Sequence, residues 1–198
     1  MPVEQIIQRC EELYRDLDLR AVKQWKDGNS TRRAIGYLPI YVPREIIHAA
    51  GMLPVGIMGA GDQLEIIRGD SYFQSYICHL PRSVIELAVS GRFDCLDGFL
   101  FPSICDVIRN LSGMFKILFE KKYVKYFDVP QNFDLTIGGS YYRHELETLC
   151  RDLEQLNGVR ITDDRLNDSI ALYNENRRLI AQLYALRCEQ PCLAPTSE

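Results

Sequence analysis

The chain has 198 residues, of which 46% are hydrophobic and 25% charged, and a formal net charge of −4. These values are typical of a globular protein with one ordinary domain and a helical appendage, or with two small domains. The acidic balance argues against a nucleic-acid-binding protein, because phosphate backbones attract a basic surface. No apolar run reaches the roughly 18 residues of a membrane span, and residues 1–5 lack a basic-then-apolar signal pattern. We therefore expect no membrane association and a cytoplasmic location.

The first 30 residues are predicted to form an N-terminal helical segment. Apolar side chains, Cys10 among them, fall on one stripe over residues 3–27. This spacing predicts a single amphipathic helix that ends at Asp27-Gly28.

An α/β domain is predicted over residues 31–138. Its four short apolar runs each predict a buried strand, namely 33–38, 53–58, 98–101 and 123–128. The helices predicted between them cover 43–50, 79–90 and about 103–121. Ser103 and Asp106 have the spacing of a capping box at the start of the last helix. Strands that alternate with helices imply a four-stranded parallel sheet flanked by helices, a flavodoxin- or Rossmann-like α/β fold.

A C-terminal helical segment is predicted over residues 139–198. Leucines at helical spacing predict one helix over 143–156, and Thr162 is a typical cap for a second. The residues from Gln190 onward have the composition of a loop-like tail.

Two nucleotide-binding motifs can be excluded. Gly59-Ala-Gly61 follows a predicted strand, but the third glycine of a dinucleotide fingerprint is missing and acidic residues follow it. The sequence contains no Walker loop, so we expect no ATP hydrolysis by that route.

The seven cysteines are odd in number and irregularly spaced, so a disulfide framework is not expected. Cys10, Cys95 and Cys150 lie in apolar patterns and are predicted to be core residues. Cys188 and Cys192 form only a weak metal-binding pattern in the tail.

Cys78 and Cys105 differ from the other cysteines because each precedes a predicted helix. Free N–H groups and the positive end of the helix dipole stabilise thiolates there. Both helices begin at the carboxyl edge of the predicted sheet, where ligands gather in α/β folds. Two thiolates are fewer than the roughly four ligands that zinc or a cubane cluster needs, so the spacing leaves open a shared cluster or two ordinary core cysteines.

The three histidines are far apart in sequence. His79 adjoins Cys78 and is a candidate proton donor, with a partly exposed helix-start residue as the alternative. His48 and His144 are predicted to lie on helix faces.

Several segments resemble one known family. Residues 43–55, the segment around Cys78, residues 101–109 (Phe-Pro-Ser-Ile-Cys-Asp-Val-Ile-Arg) and residues 170–184 are similar, in order, to motifs of the benzoyl-CoA reductase / 2-hydroxyacyl-CoA dehydratase family. Within that family the phrasing resembles the gamma (C-type) subunits of the benzoyl-CoA reductases.

The resemblance implies a low-potential 4Fe-4S cluster, held between two α/β domains by three cysteines, that works on an acyl-CoA thioester. Cys78 and Cys105 would be the first two ligands, and the third would lie beyond the end of this chain. Residues 139–198 would then connect to a second α/β domain that this sequence lacks. We therefore expect a fragment or truncated subunit, inactive by itself.

The implied partners are a paired homologous cluster-binding subunit, ferredoxin, and activator subunits that hydrolyse ATP. The expected activity is reductive dearomatisation of benzoyl-CoA. One alternative is a 2-hydroxyacyl-CoA dehydratase subunit, which would form an enoyl-CoA instead of a cyclic dienoyl-CoA. The other is a non-catalytic α/β binding or assembly module whose cysteines are core residues.

Overall fold

The computed structural model describes residues 2–189. Within this range the chain forms seven helices, four strands and one 3-10 turn. In chain order these are α1 (Val3–Tyr14), α2 (Arg20–Asp27), β1 (Ala34–Tyr37), α3 (Arg44–Ala49), β2 (Leu53–Gly56), the 3-10 turn (Gly69–Ser71), α4 (His79–Val89), β3 (Gly98–Pro102), α5 (Asp106–Leu118), β4 (Tyr123–Phe127), α6 (Gly138–Asn157) and α7 (Asp163–Glu189).

The strands form one parallel sheet in the order β2-β1-β3-β4. Helices α4 and α5 pack on one face, where the rings of Phe99 and Phe101 lie 4.9 and 4.8 Å from the ring of Phe115. Helices α3 and α6 cover the other face, around Ile47 and Leu149. The predicted α/β fold with a four-stranded parallel sheet flanked by helices is confirmed.

The prediction of one helix over residues 3–27 is wrong. The Asp16 carboxylate accepts hydrogen bonds from the N–H groups of Arg20 and Ala21, both at 2.9 Å, and so caps a new helix. Leu19 adopts a left-handed conformation with φ of 51° at the break between α1 and α2. Helix α1 buries none of its side chains against the rest of residues 2–189, and Cys10, predicted as core, is exposed for that reason.

The remaining core predictions for cysteine fit the structure better. Cys95 and Cys150 are half-buried and pack against the two cores, and burial raises the pKa of both thiols. Cys188 is exposed near the end of α7, whereas Cys192 and the predicted tail from Gln190 lie outside the described residues.

Helix α7 is fixed to the domain through α3. Arg165 donates to the carbonyl of Ala49 at 2.8 Å, and Arg177 forms an ion pair with Glu45. The Thr162 hydroxyl accepts from the Arg165 N–H at 3.3 Å, so the predicted cap of this helix is confirmed. In the described range, no helix is long and apolar enough to cross a membrane.

The two other histidines lie on helices, as predicted. His48 is on α3, and its Nδ1 lies 2.8 Å from the hydroxyl of Ser169 on α7. His144 is exposed on α6.

Candidate functional site

The strand order places a topological switch point between β1 and β3. The chain leaves β1 toward β2 and leaves β3 toward β4, so the two connections diverge at the carboxyl edge of the sheet. Parallel α/β sheets bind ligands in the crevice that opens at such a point. Cys105 follows the end of β3 at Pro102 after only two intervening residues, directly beside this crevice.

Cys105 is the residue that immediately precedes α5, in an extended conformation with φ of −160°. Strand β3 and helix α5 are both packed in the core, and they fix the two sides of this short connection. The thiol is exposed. Ser103 was predicted to cap the helix, but its hydroxyl instead accepts a hydrogen bond from the Val129 N–H at 2.7 Å. The capping-box prediction is therefore wrong.

Cys78 occupies the equivalent position before α4, and its thiol is also exposed. Helices α4 and α5 are neighbours on one face of the sheet, and each returns from the carboxyl edge to the amino edge between parallel strands. Both cysteines therefore lie at the same edge, at the starts of adjacent helices. No side chain of residues 2–189 caps either helix, which leaves first-turn N–H groups available.

Exposure decides against one alternative for these two residues. A cysteine that serves as a small core hydrophobe is buried, whereas Cys78 and Cys105 are exposed. His79, the candidate proton donor, is the first residue of α4 and is exposed beside Cys78.

The long connection from β2 to α4, which carries Cys78 at its end, is held by α4 itself. The buried carboxylate of Glu86 accepts from the N–H groups of Ile67 and Gly69, at 3.0 and 2.6 Å. Arg82 Nε donates to Asp70 at 2.8 Å. These bonds anchor the 3-10 turn that precedes the cysteine.

A cleft of about 600 Å³ opens beside Cys105 between the ends of β3 and β4. Arg109 lines it from the first turn of α5, with its guanidinium 5.5 Å from the centre of the Tyr126 ring. A hydrogen bond with the Tyr126 side chain raises the pKa of Arg109. Cys78, within the described chain, is outside the set of residues that line this cleft.

The opposite wall of the cleft carries a second polar pair. The Tyr141 hydroxyl donates to Asp128 at 3.0 Å. Loss of solvation, followed by this hydrogen bond, raises the pKa of Tyr141 to about 12. The cleft therefore presents a guanidinium, a carboxylate and two phenols beside a thiol, and the Tyr141 phenol holds its proton at neutral pH.

Sequence reasoning did not single out these cleft residues as a site. Arg109 is in a quoted family motif, and Tyr126 and Asp128 stand at the carboxyl end of a predicted strand, which is the signal that could have found them. Tyr141 gave no such signal, because its partner lies 13 positions away in sequence.

The loops at the carboxyl ends of the strands expose many large apolar side chains. Their exposed fractions run from 44% to 91%, and they are Ile40, Tyr41, Met58, Tyr76, Ile104, Phe133, Leu135 and Ile137. Exposed apolar residues in such number are typical of an interaction surface. We call this set the apolar rim.

The described residues do not form a complete metal site by themselves. Among residues 2–189, no group of three or more His, Cys, Asp or Glu side chains is placed to hold a metal ion. A metal centre that uses Cys78 or Cys105 would need at least one ligand from outside this range.

Comparison with known proteins gives consistent matches. The family model described as 2-hydroxyglutaryl-CoA dehydratase, D-component, matches residues 39–198. The C-type subunit of benzoyl-CoA reductase from Thauera aromatica is 59% identical over 198 residues, which cover 100% of this chain and 51% of that protein.

Two dehydratase subunits are more distant. The beta subunit of (R)-2-hydroxyglutaryl-CoA dehydratase from Acidaminococcus fermentans is 34% identical over 84% of this chain and 44% of its own length. The beta subunit of (R)-phenyllactyl-CoA dehydratase from Clostridium sporogenes is 31% identical over 83% of this chain and 44% of its own length. The chain thus spans about half the length of these relatives, 44% to 51%.

Proposed function

Because this chain belongs to the 2-hydroxyglutaryl-CoA dehydratase, D-component, family, we propose that it forms the first, cluster-binding part of a benzoyl-CoA reductase subunit. The resemblance found in the sequence is thereby confirmed at the level of the family. The choice of the reductase is supported by 59% identity to a benzoyl-CoA reductase subunit, against 31% and 34% for the two dehydratase subunits.

The observation that carries the cluster assignment is the paired position of Cys78 and Cys105. Both thiols are exposed, both immediately precede a helix, and both helices start at the same edge of the sheet. Thiolate sulfur is the ligand that iron–sulfur clusters use, and helix N-termini favour the thiolate form. The residues present therefore fit two of the ligands of a 4Fe-4S cluster, with the third supplied from outside residues 2–189.

The bound cluster would supply electrons at low potential to an acyl-CoA substrate. This chain's own residues would have three tasks. The two cysteines would hold the cluster at the edge of the sheet, Arg109 would hold a positive charge in the cleft, and Tyr141 would keep a protonated phenol beside it. His79 stays a candidate proton donor next to Cys78.

The apolar rim supports a role within an assembly. It surrounds the edge at which the cluster would sit, so a covering surface would both bury the rim and exclude water from the site. We propose that the rest of the subunit and a paired homologous subunit provide this cover. Ferredoxin and ATP-hydrolysing activator subunits would deliver the electrons.

The test is iron binding by the full-length subunit, purified without oxygen together with its paired subunit. We expect Cys78→Ser and Cys105→Ser each to lose most of the iron, whereas Cys10→Ser, which removes an exposed thiol on α1, should retain it. Retention of iron in both ligand variants would overturn the cluster assignment and favour the non-catalytic module.

A second assay separates the two enzyme classes of this family. The complete complex, supplied with reduced ferredoxin, activator and ATP, should convert benzoyl-CoA to a cyclic dienoyl-CoA. Formation of an enoyl-CoA from a 2-hydroxyacyl-CoA, with no reaction of benzoyl-CoA, would instead identify a dehydratase subunit.

A further inference from the structure

Ser103 joins the two loops that border the cleft. Its hydroxyl accepts from the Val129 N–H at 2.7 Å, and its own N–H donates to the carbonyl of Phe127 at 3.0 Å. The second bond extends the pairing of β3 with β4 beyond the last register pair, Pro102 with Phe127. The half-buried Ser103 is therefore the point at which the loop after β3 is tied to the loop after β4.

The chain from this tie to α5 has little freedom. The Ile104 N–H donates to the carbonyl of Pro102 at 2.8 Å, which closes a tight turn, and the Arg109 N–H donates to the carbonyl of Cys105 at 3.2 Å, which starts the helix. Cys105 thus lies between a residue held by the sheet and a helix held by the core. A shift of Ser103 must move the cysteine, because only Ile104 separates them.

We infer that Ser103 is a positioning residue that sets the place of the Cys105 sulfur and the width of the adjacent cleft. The inference rests on the proposed function, because it assigns Ser103 to a ligand of the proposed cluster. The hydroxyl acts through Cys105 and the loop after β4, and the two loops it joins supply most of the cleft lining.

The experiment compares Ser103→Ala with Ser103→Thr in the full-length subunit. Alanine removes the acceptor of the Val129 N–H, whereas threonine keeps a hydroxyl at the same position. Ser112→Ala is the matched control, because this buried hydroxyl on α5 donates only along its own helix, to the carbonyl of Arg109 at 2.7 Å.

Two readouts are needed. In the subunit without cluster, hydrogen exchange at the Val129 amide should accelerate by about tenfold in Ser103→Ala, as expected when a partly buried amide loses its acceptor. In the subunit with cluster, the electron paramagnetic resonance spectrum and the reduction potential should both shift. Ser103→Thr should restore all three values, and Ser112→Ala should leave them unchanged.

The outcomes separate this inference from the proposed function. If Cys105→Ser loses iron but Ser103→Ala leaves the spectrum and potential unchanged, the inference is wrong and the proposed function stands. If Cys105→Ser retains its iron, the proposed function is wrong and the inference falls with it. Faster exchange at Val129 with unchanged cluster properties would show a structural hydrogen bond and no positioning role.

Discussion

Removal of the Glu86 carboxylate should destabilise the domain strongly. Its side chain is buried, and one oxygen accepts both the Ile67 N–H at 3.0 Å and the Gly69 N–H at 2.6 Å. In Glu86→Ala both donors lose their partner. Gly69 is buried, so its N–H cannot turn to water, whereas the neighbouring Ile67 is exposed.

The size of the effect follows from this difference. An unsatisfied buried donor costs about 1–3 kcal/mol, and loss of a bond that water can replace costs about 0.5–1.5 kcal/mol. We therefore expect Glu86→Ala to lower the free energy of unfolding by about 2–4 kcal/mol, a large part of the roughly 5–15 kcal/mol of an ordinary domain. Glu86→Gln keeps an acceptor oxygen and should lose about 1 kcal/mol.

The assay is urea unfolding followed by circular dichroism, with hydrogen exchange at the two amides. The midpoint should fall without a change in the m value, and exchange at Gly69 should accelerate more than at Ile67. Glu120→Ala, which removes an exposed carboxylate and the same charge, is the control. A loss below about 0.5 kcal/mol in Glu86→Ala, equal to that of the control, would refute the reasoning, since surface substitutions fall in that range.

Three further predictions concern other parts of the molecule. Gly69→Ala should lower the free energy of unfolding by about 1–3 kcal/mol, because the new Cβ would lie 2.4 Å from the carbonyl oxygen of Arg82; unchanged urea unfolding would contradict this. Burial raises the pKa of Cys95, and alkylation requires the thiolate, so its reaction with iodoacetamide should need a higher pH in the folded chain than in urea; coincident pH profiles would contradict this. Phe133→Ser should weaken binding of the full-length subunit to its paired subunit in calorimetry, because Phe133 is 91% exposed in the apolar rim, whereas Ile117→Ser, 74% exposed at the far end of α5, should not; equal effects would contradict a role for the rim.

The sheet and its helices could be predicted from sequence because the strands are short, continuous apolar runs. Strand β3 is buried along its whole length, from Gly98 to Pro102, and such a pattern is typical of a parallel sheet covered on both faces. The helix starts at Cys78 and Cys105 were also predictable, since each follows a loop and precedes an amphipathic stretch.

The errors arose where distant or local polar contacts compete with periodicity. The amphipathic stripe continues through residues 3–27, but the Asp16 side chain offers its carboxylate to two N–H groups and starts a second helix. Ser103 has capping-box spacing, yet a partner 26 positions away, Val129, takes its hydroxyl. The pairs Arg109–Tyr126 and Tyr141–Asp128 likewise depend on the packing of β4 against α5 and α6, which a single sequence does not reveal.

The most direct test of the cluster assignment is a crystal structure of the complete subunit, purified without oxygen with its paired subunit. The proposed function predicts that the sulfur atoms of Cys78 and Cys105 both bind iron of one 4Fe-4S cluster, and that the third cysteine ligand comes from the part of the protein beyond this chain. A cluster bound entirely by other residues, with either of these two thiols free, would contradict it.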